Sequence, residues 1–340
     1  MSSQSSQPGS DPSYAKLKTT DVPWYLEDIT MHSTPQFRKL LENYSGIDSK
    51  DIPKHVSTIV RKPHSRTHAP TTTYPYLNLC LHPKSDTKHN RSPKPQQRSK
   101  LWALRTYPCI GVGTFQIPWI STGFFYPSLL STLLSQPSRT LLDIGCFIGQ
   151  DLRHLVFHDG VRPSQLRGLD LVPEFWDVGY ELFRDRDRDF GQVVKTSGGD
   201  VLDLRSMKEG AALEGVEGGV VDFIYVSQVL HQFDVERGVV AAKNIVGLTR
   251  GPGSRIVGAQ VGAVVGRESK GYGAVAGPQP WVHDEESWKR MWERVGREMG
   301  IELEVETRMK AWREYGVDPS VTSYMGDDTQ ILEFDVKRLT

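Results

Sequence analysis

Apolar residues recur along the chain at two spacings, and their alternation lays out a fold. Leu141, Leu142 and Ile144 form a short apolar run broken only by Asp143. Gly145 and Gly149 follow, and then Leu152, Leu155 and Val156 come at helical spacing. This reads as a buried strand, a glycine turn and a helix that starts at Gln150. The same alternation continues with a strand over 165–169 ending at Asp170-Leu171, a helix over 175–185 and a short strand over 192–195. The apolar run 220–226 predicts a fourth strand, and 234–248 a helix stopped by Arg250-Gly251-Pro252-Gly253. A fifth strand is expected over 254–261. Residues 285–299 place Trp288 and Trp292 on one helical face. Residues 301–307 and 330–336 alternate apolar and polar, as half-buried antiparallel strands do. Parallel βα units closed by two late strands predict an α/β, Rossmann-like, doubly wound seven-stranded sheet.

Before the first strand the pattern is helical. Thr34-Pro35 is a cap followed by proline, which predicts a helix over 35–44. Residues 49–53 start a second helix through His55, Val56 and Ile59. Two readings stand for 22–59: a helical pair packed on the main domain, or a lid whose aromatics Trp24 and Tyr25 face the active site. Tyr126-Pro127 opens a helix through Leu129, Leu130, Leu133 and Leu134 that leads into the first strand.

Composition changes the picture in one place. Residues 60–97 hold six prolines, four histidines, seven lysines and arginines and one acid, Asp86, with no apolar period. That composition predicts disorder. The histidines are not at zinc-ligand spacing. The segment also reads as a translated, unremoved intron. Deleting it joins His55-Val56-Ser57-Thr58-Ile59 to Arg98-Ser99-Lys100-Leu101-Trp102, and the apolar residues then continue at helical spacing. Val60-Arg61 can be encoded by a sequence beginning GT and continuing AG, and Gln97 by CAG. A genuine surface loop is the other reading, since loop closure costs only about 0.6 kcal/mol per doubling of length. A messenger-RNA read spanning the junction is expected to skip the segment; reads that retain it throughout decide for the loop.

The whole chain has 41 basic and 41 acidic residues, so it is not an electrostatic nucleic-acid binder. No apolar run is long enough for a membrane span. The start, through residue 21, is polar and reads as a disordered tail without a secretory signal. Cys80, Cys109 and Cys146 are too scattered for a disulfide framework or a metal site, so the expected setting is cytoplasmic and no metal is expected.

Three loops at the carboxyl edge of the predicted sheet carry candidate chemistry. A helix N-terminus behind a glycine turn offers free N–H groups to a polar ligand. Asp170, with Leu171 beside it, lies 21 residues after Gly149 at a strand end, where an acid can accept both hydroxyls of a ribose. Asp200 is placed to accept an adenine amine, with Val201 and Leu202 against the ring. These features alone serve a dinucleotide equally well, but no hydride-transfer set such as Tyr-x-x-x-Lys accompanies them. Each acid could instead be a strand-end residue capping the next helix.

The run Asp143-x-Gly145-x-x-x-Gly149 resembles motif I of the class I methyltransferases. The resemblance implies that Asp143, Gly145 and Gly149 cradle the amino-acid part of S-adenosylmethionine. More narrowly, Gly145-Cys146-Phe147-Ile148-Gly149-Gln150-Asp151-Leu152-Arg153 resembles a run in a fungal methyltransferase family of meroterpenoid biosynthesis. Leu41-Glu42-Asn43-Tyr44-Ser45-Gly46-Ile47, Tyr107-Pro108-Cys109-Ile110-Gly111 and Leu230-His231-Gln232-Phe233 also match it, with Phe147 in place of the usual second cysteine. The resemblance implies a methyltransferase domain over 98–340 that acts on the carboxyl of a farnesylated aromatic polyketide acid. The expected partners are a large, apolar small molecule with an acidic group and a second copy of the chain in a homodimer. Methylation of a phenol or terpenoid hydroxyl, and a non-catalytic Rossmann-like binding protein, remain as alternatives. A carboxylate is ionised at neutral pH and needs alignment more than a base, whereas a phenol wants a base near pH 7. His231, just past the fourth strand, could position the acceptor or act as base. Gln228 could hydrogen-bond a carboxylate or the cofactor. His283 could equally be a contact at a helix start. Trp24, Tyr25, Trp119, Phe124 and Phe125 would suit an apolar acceptor or simply pack the core.

Overall fold

The structure, a computed structural model, describes residues 18–56, 97–269 and 278–340. The tail through residue 17 and nearly all of the 60–97 segment lie outside the described residues, so neither expectation is met or missed there. Gln97, grouped with that segment by composition, instead opens the helix Gln97–Leu104 and is buried.

The strands are β1 (Leu141–Ile144), β2 (Leu166–Asp170), β3 (Lys195–Gly198), β4 (Phe223–Val226), β5 (Arg255–Ala263), β6 (Arg267–Glu268), β7 (Trp281–Val282), β8 (Leu303–Lys310) and β9 (Thr329–Arg338). Seven of them form one sheet in the order β3-β2-β1-β4-β5-β9-β8, and β6 and β7 pair separately. The first five sheet strands run parallel, while β9 is antiparallel to both β5 and β8. The expected doubly wound, seven-stranded sheet is therefore present. The order reverses at β1 and β4, the place where open α/β sheets bind ligands.

Both sheet faces are covered, and the central strands β1 and β4 are buried along their whole length. Leu142, Ile144 and Phe334 pack against helices Val235–Val246 and Glu285–Met299, the latter through Trp288 and Trp292. Leu141, Tyr225 and Val257 pack against helices Tyr126–Ser135 and Gln150–Phe157. On the other face, Asp234 caps Val235–Val246, the first of the two helices there, by accepting from Glu236 N and Arg237 N. Asp284 and Ser287 form a capping box at the second. Among the described residues no helix is long and apolar enough to cross a membrane.

The N-terminal segment joins a third cluster. Trp24, Ile29, Phe37, Leu41, Ile52 and Val56 are buried together with Phe147 and Phe175. The segment thus packs on the glycine turn. Helix Pro35–Lys39 is capped by Thr34 and continues as a wider turn, Leu40–Tyr44.

Element boundaries shift in three places. The third strand is Lys195–Gly198 rather than 192–195, and residues Asp189–Val193 are helical. This strand is half-buried and polar at the sheet edge, so it has no apolar signature, and pairing with β2 alone defines it. The two late strands run several residues past their predicted ends.

Candidate active site

The carboxyl ends of β1, β2 and β4 open into a cleft of about 1410 Å³, part of it open to solvent. Its floor is the glycine turn. Gly145 N and Cys146 N both donate to Leu169 O, at 2.7 and 3.1 Å, which ties the turn to β2. Gly145 has φ +77°, and a Cβ there would lie 2.5 Å from Val229 Cγ2. Phe147 also has a left-handed φ, +51°. A residue with a side chain is strained in that region. Phe147 is held there by donation from its N to Asp170 Oδ2 (2.9 Å) and by its ring on Phe175, 4.4 Å between centroids.

Asp143, Gly145, Asp170, Leu171, Val201, Gln228 and His231 all line this one cleft. Three expected cofactor residues, Gly149, Asp200 and Leu202, do not. Gly149 caps helix Gln150–Phe157 at φ +69°, and a Cβ there would meet Trp176 at 2.2 Å. Its role is to pack the helix start on Trp176 behind the turn. Asp200 is flanked by lining residues Gly199 and Val201, while its own Oδ1 accepts from Leu202 N at 2.9 Å. That bond closes a turn ahead of helix Leu204–Lys208, whose cap is Asp203 and not Asp200.

Asp170 accepts from Val172 N (2.8 Å) as well as Phe147 N. These bonds fix its carboxylate at the cleft wall. Asp143 is buried, and its Oδ2 has no hydrogen-bond partner. Burial, with the charges of Asp151 and Asp170, holds its carboxyl well above the usual range.

Past β4, Gln228 adopts a left-handed φ of +57°. Its N donates to Ala259 O (2.9 Å), and its O accepts from Gln232 Nε2 (3.0 Å). Its own amide Nε2 is buried with no partner. A strained backbone holding an unsatisfied donor at a cleft is a functional signature. His231 sits in the turn Leu230–Gln232, and burial lowers its imidazole to about 4, so it is neutral at physiological pH.

Of the aromatics singled out in the sequence, Trp119 lines the cleft. Trp24 stands behind it, its ring 5.6 Å from Tyr324, which does line it. Tyr25 packs on Trp102, and Phe124 and Phe125 pack on each other away from the cleft. His283 binds Ser287 Oγ through Nδ1 (3.1 Å) at a helix start, outside the cleft. Sequence reading missed Asp151, Trp312, Tyr324 and Met325 as lining residues. Asp151 carried a signal, its place in the Gly-Gln-Asp run. The other three lie in irregular segments without a period. Among the described residues no group of histidines, cysteines or acids could hold a metal.

The strand order, the antiparallel β9 and the glycine turn beside Asp143 are the architecture of the class I, Rossmann-like methyltransferases. No protein-family profile matches the chain. It is 33% identical to O-methyltransferase atr3 of Stereocaulon alpinum over 331 residues, 96% of this chain and 78% of that protein. It is 30% identical to O-methyltransferase phiE of a fungal species (strain ATCC 74256), covering 96% of each. It is 32% identical to methyltransferase ausD of Penicillium brasilianum, over 82% of this chain and 91% of that one. The chain belongs to the fungal O-methyltransferases of secondary metabolism, for which the sequence resemblance implies S-adenosylmethionine as cofactor. The cleft fits that cofactor: Asp143 offers a buried acceptor without a donor, and the glycine turn leaves no room for a side chain at 145.

Proposed function

We propose that the chain methylates a carboxyl group of a large, mostly apolar aromatic polyketide or meroterpenoid acid. The observation that carries this reading is the neutral imidazole of His231, held near 4 by burial. A phenol has a pKa of about 10, so an imidazole that burial keeps neutral is a poor base for it. A carboxylate needs no base. It needs hydrogen-bond donors and a dry wall, and Gln228 Nε2 supplies an uncommitted donor. Trp119, Trp312 and Tyr324 supply apolar surface for the body of the acceptor.

On the cofactor side, Asp170 accepts the ribose hydroxyls; a carboxylate can accept up to about four hydrogen bonds. Leu171 and Val201 flank the adenine, and the turn at Gly145 approaches the amino-acid end. S-adenosylmethionine supplies an electrophilic methyl on a sulfonium for in-line transfer. The protein aligns the acceptor oxygen, excludes water and holds His231 as a neutral donor that orients the acceptor. The same reading keeps the enzyme in the cytoplasm as a homodimer, and Cys109 and Cys146 are free thiols.

The test is incubation with labelled S-adenosylmethionine and a panel of aromatic acids, phenols and terpenoid alcohols. An acid is expected to be labelled, and mild alkali is expected to release the label as methanol. A labelled product that survives alkali is an ether and overturns the reading. His231→Ala is expected to lower kcat about 10- to 100-fold with a flat pH profile from 5.5 to 8 in both enzymes. A wild-type activity limb near pH 6.5 that vanishes in the variant would identify His231 as a base.

A further inference from the structure

Glu333 is fully buried on β9. Beside it on the same face lie Ile331 and, across on β5, Ala259, both apolar and buried. Its carboxylate is nevertheless engaged at both oxygens. Oε1 accepts from the Tyr315 hydroxyl (2.5 Å) and lies 3.0 Å from Lys310 Nζ, and Oε2 accepts from Phe124 N (3.3 Å). Lys310 Nζ also donates to Thr122 O (3.1 Å). Burial, followed by the charge of Glu333, raises the Tyr315 hydroxyl far above its ordinary value, so it stays a donor.

These bonds converge on two rings of the cleft wall. Trp119 springs from the turn Trp119–Thr122, which Lys310 holds at Thr122 and Glu333 holds just beyond, at Phe124. Trp312 springs from the turn Trp312–Tyr315, which starts just past Lys310, the last residue of β8. Tyr315 joins the two, with its hydroxyl on Glu333 and its ring 4.9 Å from Trp119, which meets Trp312 edge-on at 6.5 Å. Both tryptophans line the cleft, whereas Tyr315, Glu333 and Lys310 stand behind it. Desolvating a carboxylate and an ammonium offsets most of what their pairing returns, and exchanging a buried pair for apolar side chains is often neutral or stabilising. Apolar residues would therefore serve stability here at least as well. What the pair adds is direction, through fixed bonds to segments from separate parts of the chain.

We propose that Glu333, paired with Lys310, is a positioning residue for methyl transfer: through Tyr315 and the segment 119–124 it sets Trp119 and Trp312 as the wall that receives the apolar body of the acceptor. The inference rests on the reading of this cleft as the acceptor's site. Glu333 itself touches neither acceptor nor cofactor. It acts by fixing where the two rings stand, and alignment of the acceptor is the main demand of an in-line transfer.

The test uses 6-fluoro-2-naphthoic acid as probe, followed by fluorine NMR on the protein saturated with S-adenosylhomocysteine. The double variant Glu333→Leu/Lys310→Met is expected to melt at or above the wild-type temperature and to keep its S-adenosylhomocysteine affinity in calorimetry. It is expected to bind the probe about three- to tenfold more weakly, the range that aromatic pairing is worth. Tyr315→Phe keeps the ring and removes only the bond to Glu333. It is expected to show the same selective loss, smaller in size, and gives the answer if the double variant does not fold. Glu333→Gln, whose amide oxygen can still accept from Tyr315, is expected to hold probe affinity near wild type. Unchanged probe affinity in both the double variant and Tyr315→Phe overturns the positioning role. So does a joint fall of probe affinity, S-adenosylhomocysteine affinity and melting temperature, which marks a pair that only holds the fold. A wild-type protein that does not take the probe overturns the underlying reading of the wall as the acceptor's surface.

Discussion

Arg153→Met is expected to destabilise the chain by roughly 3–5 kcal/mol, the cost of leaving a buried charge without its partner. Arg153 Nε and Nη2 reach Asp185 at 2.6 and 2.9 Å, and both side chains are fully buried. The guanidinium also lies 4.4 Å from the Phe183 ring and 4.5 Å from Phe190, so it packs as well as pairs. Its Nη1 donates to Ile148 O inside the glycine turn (2.5 Å), and Asp185 accepts from the Tyr44 hydroxyl (2.8 Å). One cation thus ties the N-terminal segment to the cofactor loop. Arg153→Lys keeps the charge but cannot serve three bonds in a plane, and it is expected to raise the KM for S-adenosylmethionine more than it lowers kcat. Urea unfolding checks the first expectation. A loss under about 1 kcal/mol, the scale of an exposed pair, would show that the pair is not acting as a buried one. The double variant Arg153→Met/Asp185→Leu is expected to recover much of the loss, because it removes the stranded charge.

Asp170→Ala is expected to weaken S-adenosylmethionine binding by roughly 1–3 kcal/mol, the value of a charged hydrogen-bonding group. It is also expected to lower stability, because Phe147 N and Val172 N lose their acceptor together. Phe147 then holds a left-handed φ of +51° with only ring packing to support it. Asp170→Asn keeps one carbonyl oxygen for one of the two donors and should fall between. Calorimetry on the folded variant and a thermal melt separate the two effects. Unchanged cofactor affinity in a folded Asp170→Ala protein excludes Asp170 from the cofactor site.

Where burial and period coincide, the fold was legible. β1, β4 and β5 are apolar because helices cover both faces, and the glycine turn between β1 and its helix announces itself. β3 was misplaced because Lys195, Thr196, Ser197 and Gly198 carry no apolar signal, and only the partner strand specifies it. In the site, Asp143, Gly145 and Asp170 follow from strand ends, which local sequence marks. Asp151 looked like an ordinary acid in a helical first turn. Its meaning comes from Ile120 N, 31 residues away, and from its burial among Asp143 and Tyr225. The resemblance implies a ligand contact for Gly149, and only the Trp176 ring reveals what the missing side chain makes room for.

Trp119 precedes β1, while Trp312 and Tyr315 lie between β8 and β9, and their rings meet at 6.5 and 4.9 Å. The aromatic wall of the cleft is therefore assembled from one stretch before β1 and one between β8 and β9, whereas the glycine turn and β2 end lie close together in sequence. For recombination among relatives this sets a linkage rule. Segments around 107–119 and 312–325 have to be inherited from the same parent, because each supplies half of a packed seam. Libraries that shuffle them independently should yield mostly inactive chimeras, and libraries that move them as a pair should exchange acceptor preference while leaving cofactor affinity in place.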